Sequence, residues 1–176
     1  NSLNALLKII EEPSKKNYFF LINNKSKPLL ETIKSRAIEI KINLTENQRL
    51  EIINKLVDLY KLELILDSKS SQLSPGNFLK FNYICKEYNI SPSNNFVENL
   101  TKLLNLYKKN KDIIFINLAF FIVDYYFKYM KDKNLFNNDK IFEIKNFIFN
   151  NLNCFIMYNI NQNSFINAVT KKLKYG

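Results

Sequence analysis

Arg36 follows Ser35 in the stretch ETIKSRAIEI, residues 31–40, at the corner between a helix-like apolar segment and an alternating one. It is one of only two arginines in a chain whose Lys and Arg together number 26. A guanidinium is planar, permanently charged and forked, so it meets two oxygens of a phosphate at once, whereas an ammonium is a mobile point charge. Such a residue could stabilise charge that develops on a phosphoryl group. The competing role is structural, because a cation at a helix C-terminus is favoured by the macrodipole. Asn23 and Asn24 close the run NYFFLINN and form a second candidate. Ligands of open α/β sheets bind beyond the carboxyl ends of strands, although a polar loop start explains two asparagines equally well in a chain this rich in Asn.

Other groupings offer less chemistry. Glu11 and Glu12 are adjacent, and successive helical residues point in different directions, so they do not form a paired acid and base. Lys108, Lys109 and Lys111 cluster near Tyr107 in the manner of a solvated helix end. Cys85 and Cys154 are far apart, no CxxC occurs and the chain has no histidine, which argues against a zinc site or a disulfide framework in this stretch. The longest apolar run, Ile113 to Val123, is too short for the roughly 20 residues that a bilayer demands, and no signal peptide is visible, so no membrane partner is expected.

The elements that must position these residues follow from spacing. Ser2 to Glu12 reads as a helix stopped by Pro13. Tyr18 to Ile22 has the length and continuous apolarity of a strand covered on both faces. Pro28 suits the first turn of a short helix with Leu29, Leu30 and Ile33. Ile38, Ile40 and Ile42 alternate with Glu39 and Lys41, as in a strand with one buried face. Helix, strand, helix, strand is the closing portion of an α/β sheet domain.

Beyond Asn43 the period is helical. Thr45 and Gln48 form a capping box ahead of Leu50, Ile53, Leu56 and Val57. Ser74 and Pro75 are an N-cap and first-turn pair, and Ser91 with Pro92 marks a further boundary. Four more helices are expected near Asn94 to Lys109, Asp112 to Asp132, Asp139 to Tyr158 and Gln162 to Lys174. The second of these is apolar around most of its circumference, which places it in the middle of a bundle or against a partner chain. Within it, Asn117 and Asp124 are candidates for buried hydrogen-bonding groups.

The stretches NALLKIIEEPSKKNYFFLINN and LLETIKSRAIEI closely resemble the clamp-loader ATPases of the AAA+ class, whose pattern runs N-A-L-L-K-x-L-E-E-P, an apolar strand, then L-x-T-I-x-S-R-C. Asn4 to Lys8, Glu11 to Pro13, Leu30, Thr32, Ile33, Ser35 and Arg36 fit it. Ala37 stands where the family usually has cysteine, a conservative change for a small buried group. The resemblance implies that Arg36 is a trans arginine finger with Ser35 as its motif neighbour, reaching ATP held by an adjoining subunit. It also implies that Asn23 or Asn24 is a sensor-1-like residue. Motor subunits of bacterial clamp loaders carry G-S-x-R in the lid; here Ser74-Pro75-Gly76-Asn77 puts Gly76 where that arginine falls. This form resembles the family member that does not hydrolyse ATP but lends its finger to a motor, and NINQNSFINAVTKKL is loosely similar to that member's last helix.

The implied fold is mainly α: residues 1–43 the C-terminal remnant of an AAA+ α/β nucleotide-binding-type domain, 44–90 a small helical lid, and 91–176 an all-α helical collar. On this reading the chain, which opens on Asn1, is an N-terminally incomplete piece of a larger cytoplasmic protein. It has no cofactor of its own, ATP being bound by the neighbouring subunit, and no enzymatic activity alone. The implied partners are gamma/tau-like and delta-like subunits of the DNA polymerase III clamp loader, with the sliding clamp and primer-template DNA met through the complex. Two alternatives stay open: an ATP-hydrolysing motor subunit, and a basic helical nucleic-acid-binding module. The formal charge of +10 prompts the latter. An A/T-rich coding sequence, which favours Lys, Asn, Ile, Phe and Tyr, accounts for that charge as well.

Overall fold

The computed structural model describes residues 9–10, 18–23, 28–69, 72–92, 95–133 and 138–175. The chain divides between Leu44 and Thr45 into two compact units.

In the first unit Ile9 and Ile10 are helical, and the rest of the helix expected over Ser2 to Glu12 lies outside the described residues. Helix α1 spans Glu31–Lys34 with Leu30 at its N-cap, so Pro28 precedes the helix rather than entering its first turn. Neither expected strand is present. Residues 18–23 and 38–42 are non-helical without ladder pairing. The side chains of Tyr18, Phe20, Ile22, Ile38, Ile40 and Ile42 are exposed, from 80% at Ile40 to 98% at Ile22. The reason is physical: a strand exists through the neighbours that take up its N–H and C=O groups, and no described residue supplies them. The apolar pattern is there and the pairing is not.

Among the described residues of the second unit the regular elements are all helices. Helix α2, Glu46–Tyr60, starts on the expected capping box. The Thr45 N–H donates to Gln48 Oε1 at 3.0 Å and the Gln48 N–H to Thr45 Oγ1 at 3.3 Å, which satisfies two donors that the first turn leaves over. It stops at Lys61, left-handed at φ 49°, with the Leu62 N–H reaching back to the Val57 carbonyl at 3.0 Å. Helix α3, Pro75–Glu87, has Ser74 as its N-cap and Pro75 in its first turn, and it buries Phe78, Phe81, Ile84 and Cys85. Helices α4 (Phe96–Asn110), α5 (Ile114–Asp132), α6 (Asn138–Tyr158) and α7 (Gln162–Tyr175) follow. Helix α2 packs on α3. In the bundle α4 packs on α5, α5 on α6, α6 on α7, and α7 back on α4.

Apolar surface removed from water holds these helices together. One cluster runs without a break from Ile53 in α2 through α3 and α5 to Val169 in α7. Ring pairs mark the seams: Phe96 stacks on Tyr126 at 4.3 Å between α4 and α5, Phe120 meets Phe149 edge-on at 5.2 Å between α5 and α6, and Phe81 faces Phe121 at 5.6 Å between α3 and α5. Helix α5 is the central element, as its composition implies. Its polar residues are placed differently from expectation. Asn117 and Asp124 lie on an exposed face, and Asp124 forms an ion pair with Lys145 of α6. The apolar groups leave a narrow stripe of α5 to solvent, and both residues fall on it.

Buried polar side chains hold the connections. Asn82 is almost wholly buried in α3 and clamps the passage between α2 and α3: its Oδ1 accepts from the N–H groups of Ile65 at 2.7 Å and Leu66 at 3.1 Å, while its Nδ2 donates to the Glu63 carbonyl at 2.8 Å. Arg49, also buried, donates from Nη2 to the Ser68 carbonyl at 2.9 Å. Asn99 of α4 donates to the Ser91 carbonyl at 2.6 Å, and Gln162 of α7 to Asn105 Oδ1 of α4 at 2.8 Å. Several helix ends use left-handed residues that are not glycine: Lys61, Asn89, Asn95, Lys111 and Asn159 all have positive φ.

Two outcomes are expected. Asn82→Ala strands two N–H groups and a carbonyl at once, so unfolding in urea should show a loss of about 2–4 kcal/mol; a loss under about 0.5 kcal/mol would mean that the passage is held by other contacts. Burial pushes the Cys85 thiol up to about 12, whereas Cys154 is only half-buried. A disulfide-exchange reagent at neutral pH should therefore modify Cys154 in the folded chain and reach Cys85 only after denaturation.

Candidate functional site

Ser35 and Arg36 are set by one turn of helix. In α1 the Ser35 N–H donates to the Glu31 carbonyl at 2.9 Å and the Arg36 N–H to the Ile33 carbonyl at 3.1 Å, which fixes both residues at the helix end. Ser35 is the C-cap, in right-handed helical conformation. Ile33 is the buried residue of this helix. Glu31 and Lys34 pair across its outer surface at 2.8 Å, and that hydrogen bond raises the Lys34 pKa above its ordinary value. Acid in the first turn and base in the last also match the helix dipole.

The Arg36 side chain is exposed. Its Nη1 donates to the Thr32 carbonyl at 3.0 Å and to Ser35 Oγ at 3.3 Å, and Ser35 Oγ itself donates to the same carbonyl at 3.2 Å. The helix-capping role weighed from the sequence is therefore present. Carbonyl, hydroxyl and Nη1 form a closed triangle.

Asn23 is exposed at the end of the apolar run, and Asn24 lies outside the described residues. Ala37, expected to be a small buried group, is exposed. Gly76 sits in the first turn of α3 with a negative φ, and a Cβ built there meets no atom within 4 Å. Neither backbone strain nor crowding requires glycine, so this turn has room for a longer side chain and simply lacks one.

Lys108, Lys109 and Lys111 end α4 as a solvated cluster, favoured there by the dipole. The Lys108 ammonium lies 5.6 Å from the centre of the Phe155 ring, and that of Lys111 5.9 Å from the Tyr107 ring. No group of His, Cys, Asp and Glu among the described residues could hold a metal ion. No helix among them is long and apolar enough to cross a membrane.

Sequence reasoning missed the Thr32 carbonyl as the third corner of the triangle, since a backbone group carries no signal of its own. It also passed over Arg49. Its rarity was the available cue: as one of two arginines among many lysines it merited the attention given to Arg36.

The family model described as "DNA polymerase III, delta subunit" matches residues 1–46, a stretch that contains α1, Ser35 and Arg36. Among curated proteins, "DNA polymerase III subunit delta'" of Buchnera aphidicola subsp. Schizaphis graminum (strain Sg) is 32% identical over 124 residues, which is 66% of this chain and 38% of that protein. The chain thus spans well under half the length of the relative it matches. No solved structure matches it. The matched segment contains the motif residues around Arg36, and with the relative it supports a delta-prime subunit of the DNA polymerase III clamp loader.

Proposed function

We propose that this chain lends an arginine finger to a neighbouring ATP-binding subunit and holds its place in the assembly through its helical bundle. On this reading residues 1–43 close an AAA+ nucleotide-binding-type domain, 44–90 are the lid and 91–176 the collar. ATP belongs to the neighbour, Arg36 completes that site, and Asn23 or Asn24 occupies the sensor position of its own domain. Hydrolysis then drives loading of the sliding clamp onto primed DNA in the cytoplasm.

The observation that carries this reading is the exposed Arg36 guanidinium at the end of α1, where its Nη1 donates to the Thr32 carbonyl at 3.0 Å. As the γ-phosphoryl group transfers, charge spreads over its equatorial oxygens, and a fixed fork stabilises that charge without reorganising. Gly76 supports a non-motor role, because a position with ample room but no side chain contributes no cation to a nucleotide. The bundle also presents apolar side chains to solvent: Ile113, Phe142, Met157 and Tyr158 are each more than half exposed. Sister subunits could cover them, within a stable interface of about 1,000 Å² or more.

The test is Arg36→Ala in the full-length protein, reconstituted with its ATP-binding partner subunits. Assembly, read by native mass spectrometry, should match wild type, while DNA-stimulated ATP hydrolysis at the affected site should fall by roughly 10³-fold. Unchanged hydrolysis in an intact assembly would remove the finger.

A further inference from the structure

We infer that one end of the helical bundle is a docking surface for an acidic peptide segment of a protein outside the assembly: Lys108, Lys109 and Lys111 supply the charge, and Ile113, Met157 and Tyr158 the apolar contact. The inference goes beyond the finger reading and does not depend on Arg36. It assigns three of the exposed apolar side chains to this partner and leaves Phe142, near the start of α6, to sister subunits.

Contacts bring these residues to one place. The Lys108 ammonium lies 5.6 Å from the centre of the Phe155 ring, the Tyr107 ring 6.1 Å from that same ring, and the Lys111 ammonium 5.9 Å from the Tyr107 ring. The last turns of α4 and α6 therefore meet, and Gln162 Nε2, donating to Asn105 Oδ1 at 2.8 Å, sets the start of α7 beside them. Ile113 follows Lys111 by two residues at the N-cap of α5, and Met157 and Tyr158 follow Phe155 at the end of α6. All three lysines are exposed, with Ile113, Met157 and Tyr158 at 51%, 71% and 70%.

Charge at this end has one sign. None of the three lysines forms an ion pair among the described residues. Asp112, the neighbouring carboxylate, is spent on the first turn of α5, where it accepts from the Ile114 N–H at 2.9 Å. No acid occurs from Asn99 to Lys111 or from Ile144 to Gly176. The dipole of α4 is equivalent to about half a negative charge, so it offsets only part of the three cations.

The composition of the patch selects among anionic partners. A nucleic acid strand wants aromatic faces on which bases stack. Here Phe155 is buried and Tyr107 half-buried beneath Lys111, which leaves Tyr158 alone beside two aliphatic side chains. Ile113 and the adaptable Met157 suit apolar anchors of a peptide, and covering them excludes water and strengthens attraction between carboxylate and ammonium. Lysine is depleted from the cores of permanent interfaces, so three of them around the apolar contact fit a reversible partner better than a fixed subunit.

The probe is a phage-displayed library of random peptides of about twelve residues, selected on the full-length protein in its reconstituted assembly. Enriched peptides are then titrated by fluorescence anisotropy against wild type, Lys108→Gln/Lys109→Gln/Lys111→Gln and Met157→Ser/Tyr158→Ser. They should carry at least two carboxylates beside a large apolar residue, and each variant should weaken them by about tenfold or more. Added salt should weaken wild-type binding as well. Native mass spectrometry should show both variants assembling as wild type does. Peptides without carboxylates, or binding that either variant leaves unchanged, would overturn the proposal. Loss of assembly in the lysine variant would make the patch a subunit contact instead. Oligothymidylate binding that falls tenfold in that variant, with no peptide dependent on the patch, would make it a nucleic-acid surface; either result overturns the proposal too. The finger reading is decided separately, by hydrolysis in Arg36→Ala.

Discussion

Helix α5 lies between α4 and α6 with Ile116, Leu118, Ala119, Ile122 and Val123 wholly removed from solvent. At about 1.5–3 kcal/mol for each large apolar side chain buried, this helix contributes more to holding the second unit together than its own backbone propensity could. Its neighbours are shaped to it. Helices α4 and α6 turn Leu100, Leu103, Leu104, Ile144 and Ile148 inward, α7 closes the ring with Phe165 and Val169, and α3 reaches the same cluster through Phe81. No polar side chain of α5 enters that core. A helix buried on several sides leaves few places for one, and its charged residues are confined to the exposed stripe and the last turn.

Where the chain leaves helices, apolar packing gives way to backbone hydrogen bonds supplied by side chains. Asn82 suits this because an amide offers a donor and an acceptor from one rigid group, so it can serve N–H groups and a carbonyl of the same passing strand of chain. Arg49 acts similarly but less completely: its Nη1 is buried without a hydrogen-bond partner among the described residues. Burying a charge that is only partly satisfied costs free energy, and the surrounding apolar contacts of α2 offset it. Exposed pairs such as Lys172 with Glu143 at 2.6 Å and Lys86 with Glu63 at 2.9 Å lie between elements and add little, because water screens them.

Much of the second unit was legible from residue order alone. The capping box at Thr45, the Ser74-Pro75 start of α3 and the limits of α4 to α7 all depend on interactions between residues a few positions apart, and such signals survive in a linear string. The strands did not emerge, because alternation at Ile38, Ile40 and Ile42 describes how a segment would sit in a sheet and says nothing of whether a neighbour is present to pair with it. Asn117 and Asp124 were misjudged for a related reason: an apolar helix hides its one wet stripe until the packing directions are known. At the candidate site the types and spacing of Ser35 and Arg36 were readable, while their geometry was not, since it turns on the Thr32 carbonyl.

The left-handed residues at the helix ends, Lys61, Asn89, Asn95, Lys111 and Asn159, bear on the cost of this chain's composition. Glycine codons are G-rich and those of lysine and asparagine A-rich, and the chain has two glycines, of which Gly76, the one among the described residues, is not at a positive φ. Residues with a Cβ strain at such positions by about 1–2 kcal/mol, asparagine less than lysine. A coding sequence biased toward A and T would thereby write into the backbone a small, distributed load on folding, set against a total margin of only about 5–15 kcal/mol for an ordinary domain. A lineage drifting toward G and C could shed that load one helix end at a time without touching a single core residue.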